Sequence, residues 1–110
     1  MTNLYMKVGV LAENNPTYKN ELQREKCMRG TKRIGVSWNE IQSKCRERRI
    51  VDAKKICCHY LRTQGWTLSK IANFVGLDNH ATIHHHYMSA NELIEYDTPF
   101  EIKYNKFIKA

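Results

Sequence analysis

Helix start and stop signals recur through the last two thirds of the chain. Ser37 and Glu40 have the spacing of a capping box, in which each side chain satisfies a free backbone N–H group of the first helical turn. Val36 and Ile41 fit the hydrophobic staple that accompanies such a box. From residue 36 onward no segment shows the sustained apolar alternation that is typical of a strand. The sequence therefore predicts an all-α fold with about five helices.

Apolar residues at helical spacing place the helices that follow the first one. Gly65 and Gly76 end the second and third helices, Thr67 caps the third, and the fourth starts at Asp78 or Asn79. The residues predicted to face inward in these three helices are Ile50, Ala53, Ile56, Cys57, Tyr60, Leu61, Ile71, Phe74, Val75, Ile83, Tyr87, Ala90 and Ile94. The last helix has a second predicted capping box, Thr98 with Glu101, and an inward face of Phe100, Tyr104, Phe107 and Ile108.

The first part of the chain gives weaker signals. Alternating apolar residues in 1–14 suit a short strand or a docked or loose arm. Asn15 as a cap and Pro16 in the first turn predict a helix that runs to about Met28 and ends at Gly30, and a basic linker follows it. This segment is therefore expected to be less ordered than the rest.

The chain is accordingly divided into an N-terminal arm with a possible adaptor helix, residues 1–35, and a helical domain, residues 36–110.

The net charge is +7, and its distribution is uneven. Twelve of the 18 lysines and arginines lie in residues 24–62, where only four acidic residues accompany them. Such a concentration of positive charge favours a polyanionic partner, although it is also compatible with a solvated basic surface.

The sequence lacks the motifs of several classes of enzyme. It contains no Gly-x-x-x-x-Gly-Lys-Ser/Thr phosphate loop. Its four cysteines have no Cys-x-x-Cys spacing, and Cys57, Cys58 and His59 point in different directions on a helix, unlike a nucleophile site. His80 and His84 are four residues apart, but the glutamate of a His-Glu-x-x-His zinc site is missing. We therefore expect no enzyme activity, no cofactor and no physiological metal.

The sequence also lacks the signals of a membrane or secreted protein. No stretch approaches the roughly 18 apolar residues that a membrane helix needs. The N-terminus has no basic start, and Lys7 and Gly9 interrupt its apolar run, so it does not have the pattern of a secretion signal. Reduced thiols, no membrane contact and a cytoplasmic location are the expectation.

Residues 67–87 have the pattern of a helix-turn-helix. Ala72 is small enough for the second helix to approach closely, and Gly76 can adopt the left-handed conformation of the turn. Short polar residues open the helix after the turn, where a recognition helix reads base edges in the major groove. We predict this recognition helix over residues 79–95. Because two helices with a glycine turn also occur in proteins that bind nothing, the pattern alone does not decide the function.

Two segments, residues 67–72 and 75–85, resemble the C-terminal DNA-binding domain of the bacterial replication initiator DnaA family. That family carries Ser-Leu-x-x-Ile-Gly followed by Gly-Gly-Arg-Asp-His-Thr-Thr-Val-x-His. Residues 43–51 resemble its basic loop and residues 53–56 the start of its long helix. The resemblance covers roughly residues 36–110, and it implies a helix-turn-helix DNA-binding domain, here without the ATPase module that precedes it in the initiator.

The resemblance implies roles for nine residues in DNA binding. In the basic loop, residues 44–49, Arg46 would enter the neighbouring minor groove or contact its backbone. Phosphates would be held by Arg48, Arg49, Lys54 and Lys55, major-groove bases would be read by Asn79, His80 and Ala81, and Thr82 would contact a phosphate. His85 matches the histidine of the family motif, for which a structural role is implied.

Three positions depart from the family motif. Asn79 replaces its aspartate, and an asparagine can pair bidentately with adenine where an aspartate accepts from cytosine N4. Ala81 replaces a threonine and keeps a methyl contact while it loses a hydroxyl group. Asp78 replaces an arginine and would repel phosphate. The fold and the groove mode can therefore carry over while the recognised DNA sequence changes.

The sequence thus predicts a non-enzymatic protein that binds double-stranded DNA through a recognition helix and a basic loop. It would act as a replication-origin or transcription accessory factor, and residues 1–35 are candidates for contact with a replication or transcription protein. The alternative is an adaptor module that binds an acidic protein surface. RNA is less favoured, because Trp38 and Trp66 sit at capped helix starts as core residues rather than as a stacking platform.

Overall fold

The computed structural model describes residues 16–77 and 79–109. Six helices make up the regular secondary structure of these residues, which confirms the predicted all-α class. They are α1 (Pro16–Arg33), α2 (Trp38–Gln42), α3 (Arg48–Thr63), α4 (Leu68–Val75), α5 (His80–Tyr96) and α6 (Thr98–Lys109). None of these helices is long and apolar enough to cross a lipid bilayer. The predictions for residues 1–14, Asn15 and Asp78 lie outside the described residues.

Helix α3 is the centre of the packing, and it contacts each of the other described helices. Its predicted apolar stripe is confirmed, because Ile56, Cys57 and Leu61 are fully buried. Burial of one large aliphatic side chain contributes about 1.5–3 kcal/mol, so a stripe of this length holds α3 firmly among its neighbours. The first turn of α3, which continues from the basic loop, is thereby fixed relative to the other helices.

The helix-turn-helix is formed by α4, the turn at Gly76 and α5. Gly76 has a φ of 82°, and its N–H group donates to the Ala72 carbonyl at 2.9 Å. Val75 and Ile83 are fully buried on the two sides of the turn. A Cβ atom at Gly76 would lie 3.3 Å from Gln42, so both the conformation and the space favour glycine. The predicted turn and its shared core are confirmed.

The caps of α2 and α4 agree with the sequence, whereas that of α6 does not. Ser37 and Glu40 form the predicted capping box. The Glu40 N–H donates to the Ser37 hydroxyl oxygen at 3.2 Å, and the Ser37 N–H donates to the Glu40 carboxylate at 3.0 Å. Thr67 caps α4 as predicted. The second capping box is wrong: Thr98 is already helical, and the Asp97 carboxylate accepts from the Phe100 N–H at 3.1 Å. Aspartate caps a helix as well as threonine or better, and here it begins the helix one residue earlier.

The predicted helix stop at Gly30 and the basic linker after it are also wrong. Helix α1 continues through Gly30 to Arg33. A Cβ atom at Gly30 would lie 2.6 Å from Cε2 of Phe107, whose ring is fully buried. Gly30 therefore makes room for α6 against α1, and this packing outweighs the roughly 1 kcal/mol that a glycine costs inside a helix. Ile108, which follows Phe107 in α6 and was predicted to face inward, is exposed.

Candidate nucleic-acid interface

The start of α5 presents a short exposed segment, residues 79–82, which we call the recognition segment. Asn79 is the N-cap of the helix, and its Oδ1 accepts from the Ala81 N–H at 2.8 Å. Asn79, His80 and Ala81 are exposed, and Thr82 is partly buried. Because the cap uses only the side-chain oxygen, the amide NH2 group of Asn79 is available to a ligand in front of the helix.

The basic loop lies beside this segment and is only partly a loop. Residues 44–47 connect α2 to α3, whereas Arg48 and Arg49 belong to the first turn of α3. Lys44 and Arg46 are exposed, and the side chain of Arg48 is 85% exposed, with its Nε 4.0 Å from the Asp52 carboxylate. An ion pair of that length in solvent contributes little, so these three cations are available to an anion.

Arg49 is exposed, but its guanidinium is already bound to other groups of the protein. Its guanidinium lies 2.7 Å from the Glu40 carboxylate and donates to the Gly35 carbonyl at 2.8 Å. The hydrogen bond from Arg49, together with that from the Ser37 backbone, lowers the pKa of Glu40 to about 2. The carboxylate that caps α2 therefore also anchors the first turn of α3.

Lys54 is engaged in the same way at the other end of the loop. It is only 5% exposed, and its Nζ donates to the Ser43 carbonyl at 2.6 Å. Burial lowers the pKa of this ammonium group. Lys55, one residue on, is partly exposed. Hydrogen bonds of Arg49 and Lys54 thus hold the two ends of the basic loop, and the phosphate contact predicted for these two residues stays a prediction.

A surface cleft of about 450 Å³ separates the basic loop from α5, and we call it the loop–helix cleft. It brings Arg46 and Thr82 together, as the predicted roles require. Among its other lining residues, Lys44, Cys45 and His86 have side chains that can bind a ligand, and sequence reasoning did not name them as site residues. The spacing of His86 contained a signal, because it follows Thr82 by four residues and therefore lies on the same face of the helix.

The histidines of α5 differ in their surroundings. His85 is exposed, so the structural role implied for it does not match its position. His86 is partly buried instead, and its Nδ1 atom is buried without a hydrogen-bond partner. Burial, with the nearby charges of Lys55, His85 and Lys54, lowers the pKa of His86 to about 4. This ring is therefore neutral at physiological pH.

The cysteines divide into three buried thiols and one exposed thiol. Cys27, Cys57 and Cys58 are fully buried, and burial raises the pKa of Cys58 to about 12, so this thiol stays protonated. Cys45 is exposed on the basic loop. Among residues 16–77 and 79–109, no three side chains of the metal-ligating types lie together.

Comparison with known proteins gives a family and a relative. The family described as bacterial dnaA protein helix-turn-helix matches residues 31–89, just over half of the chain. The chromosomal replication initiator protein DnaA of Aliarcobacter butzleri (strain RM4018) is 31% identical over 70 residues, which are 63% of this chain and 16% of that protein. The chain thus corresponds to a small part of that relative. No solved structure matches it.

Proposed function

Because this chain belongs to the bacterial DnaA helix-turn-helix family, as its motifs predicted, we propose that it binds double-stranded DNA with α5 in the major groove and the basic loop at the adjacent minor groove. Membership in this family implies DNA binding. The observation that carries the proposed mode is an exposed helix start, capped by Asn79, beside a loop with exposed cations. Thr82 of the helix and Lys44 and Arg46 of the loop line one cleft. Side chains at such a helix start reach base edges in the major groove.

The recognition segment supplies the base contacts in this proposal. The free amide group of Asn79 donates to adenine N7 while its oxygen accepts from N6, which remains possible because a carbonyl oxygen has two lone pairs. His80 and the methyl group of Ala81 contact the neighbouring bases. Thr82, which faces the loop–helix cleft, contacts a phosphate. Since Asn79 replaces the aspartate of the family motif, the preferred sequence differs from that of the initiator.

The exposed cations supply most of the affinity. Arg46 enters the minor groove or contacts its backbone, and Arg48 and Lys55 hold phosphates. Lys44, which lies on the same loop, is added to this set because it lines the cleft. Arg49 and Lys54 act indirectly, through the hydrogen bonds that fix the ends of the loop.

The biological role is proposed as a replication-origin or transcription accessory factor. Helix-turn-helix domains of this family are typically non-enzymatic, and the 110 residues contain no phosphate-loop motif. They would thus contribute DNA binding and not ATP hydrolysis. Residues 1–35 are proposed to contact a replication or transcription protein.

Fluorescence anisotropy with duplexes selected from a random pool tests the proposal. We expect one enriched sequence, tighter binding to it than to an unrelated duplex, and an affinity that falls steeply with salt concentration. Salt-independent binding to an acidic protein with no binding to any duplex would favour the adaptor function instead.

The exposed thiol of Cys45 gives an independent test of where the DNA lies. Because the other three cysteines are buried, a thiol reagent should modify native protein at Cys45 alone. We expect bound duplex to slow this modification, since Cys45 lines the loop–helix cleft. Modification at an unchanged rate in a DNA complex would place the DNA elsewhere. A thiol-reactive dye on denatured protein serves as the control for total cysteine.

A further inference from the structure

His86 is a polar side chain in the loop–helix cleft that the proposed contacts leave unused. Its Nδ1 is buried and has no hydrogen-bond partner, and the ring lines the cleft. A proton on Nδ1 would be a buried donor without an acceptor, and orphaned buried N–H groups are rarer in proteins than under-satisfied acceptors. The favoured neutral form therefore carries its proton on Nε2, the other ring nitrogen of this cleft-lining side chain.

The surroundings of His86 suit an anion. Lys44 and Arg46 approach the cleft from the basic loop, and Lys54 approaches it from α3. None of the described residues that line the cleft carries a carboxylate. Burial, and after it the nearby charges of Lys55 and Lys54, disfavours a second proton on His86 and so keeps the ring neutral. A neutral N–H donor beside several cations and the Thr82 hydroxyl group matches the several acceptor oxygens of a phosphate.

The expected path of the DNA indicates which phosphate would lie next to His86. When a loop lies at the minor groove and a helix lies in the adjacent major groove, the backbone between the two grooves must cross the gap between loop and helix. We propose that His86 is a further DNA contact, and that its neutral ring donates from Nε2 to one phosphate oxygen of the strand that crosses the loop–helix cleft. This inference rests on the proposed function, because it needs the two elements in neighbouring grooves.

A phosphate-replacement experiment tests the contact. His86→Ala should weaken binding to the selected duplex by roughly tenfold, the effect of one hydrogen bond to a charged group. His86→Gln, which keeps a side-chain N–H donor, should retain most of the affinity. His85→Ala is the matched control, since this neighbouring histidine is exposed and does not line the cleft.

Duplexes that carry one uncharged methylphosphonate, moved along each strand, then locate the phosphate. At one position the wild-type protein should lose roughly tenfold, and His86→Ala should lose no more there while it responds normally at other positions. Equal losses for both proteins at every position would overturn the inference. If the wild-type protein bound no duplex at all, the proposed function itself would fail.

Nitrogen-15 NMR of the His86 ring provides a readout that needs no variant. We expect the neutral tautomer protonated on Nε2 in the free protein, and a shift of that N–H group when the selected duplex is added. A ring protonated on Nδ1, or an Nε2 signal that does not move in the DNA complex, would contradict the contact even if His86→Ala failed to fold.

Discussion

Two groups of cations lie in and beside the basic loop, and they differ in what their charges do. The outer cations, Lys44, Arg46 and Arg48, are exposed and have at most a weak partner. The inner cations, Arg49 and Lys54, already donate to carbonyl groups of the protein. In the sequence all five stand in one basic stretch. The difference shows that acceptors elsewhere in the fold decide which positive charges remain available to DNA.

Removal of the outer cations should have the largest effect. With Lys44, Arg46 and Arg48 changed together to alanine, we expect the affinity for every duplex to fall roughly a hundredfold near 0.1 M salt. Each lost phosphate contact should also flatten the log–log salt dependence by about 0.9. Anisotropy titrations over a salt series measure both quantities. A slope like that of the wild-type protein would abolish the distinction between outer and inner cations.

The turn before the recognition segment is the next most sensitive position. Gly76→Val should lower the free energy of unfolding by about 1–3 kcal/mol, because a β-branched residue resists a φ of 82° and its Cβ would press on Gln42. Thermal melting followed by circular dichroism checks this value. Gly35→Val is a comparison with a similar φ of 85° but open space around the Cβ, so it should cost less.

The inner cations should affect stability more than salt dependence. Lys54→Met keeps the buried stem but leaves the Ser43 carbonyl without its donor, at a cost of about 1–2 kcal/mol. We expect a lower melting temperature and looser binding with an unchanged salt slope. A variant as stable as the parent, with a flatter slope, would reassign Lys54 to the outer group.

How far the sequence predicts this molecule depends on the range of the contacts. The Ser37 box, the Thr67 cap and the left-handed Gly76 depend on neighbouring residues, and all were predictable. Gly30 looked like a helix stop because its reason, the Phe107 ring, lies 77 positions further along the chain. Local spacing contains no information about such a contact.

The same limit applies to the candidate site. The exposed start of α5 followed from the turn and cap signals, so residues 79–82 were found. Glu47 is a local partner of Arg49, but the distant partners of Arg49 and Lys54, which are Gly35, Glu40 and Ser43, depend on how α2 and α3 meet. Residue type and charge could not reveal these partners. Lys44 was included only as part of the basic loop, and His86 was missed although its spacing from Thr82 places both on one face of α5.

Acid should produce the smallest effect on stability. It should act through two histidines and leave the ion pair between Arg49 and Glu40 intact. The pKa of His86 is lowered to about 4 and that of His59 is also lowered, both chiefly by burial. The unfolded chain therefore binds more protons below pH 6.5, so stability falls as the pH drops from 6.5 toward 4. Glu40, with a pKa of about 2, stays ionised throughout this window and keeps Arg49 in place.

Melting temperatures between pH 7 and pH 4.5 measure this effect. A variant with His59→Gln and His86→Gln should lose less stability over that range than the wild-type protein. A wild-type melting temperature that does not change down to pH 4.5 would mean that neither ring resists protonation in the folded state.

The central claim is that the recognition segment reads bases while the outer cations hold the backbone. Its most direct test is the affinity of Asn79→Ala for the selected duplex and for an unrelated duplex, once melting shows that the variant is folded. We expect a loss of about 1–3 kcal/mol on the selected duplex and a much smaller loss on the unrelated one. Asn79→Asp should move the preference at that base pair toward cytosine. Equal losses on both duplexes would contradict the claim and leave a protein that binds DNA without reading its sequence.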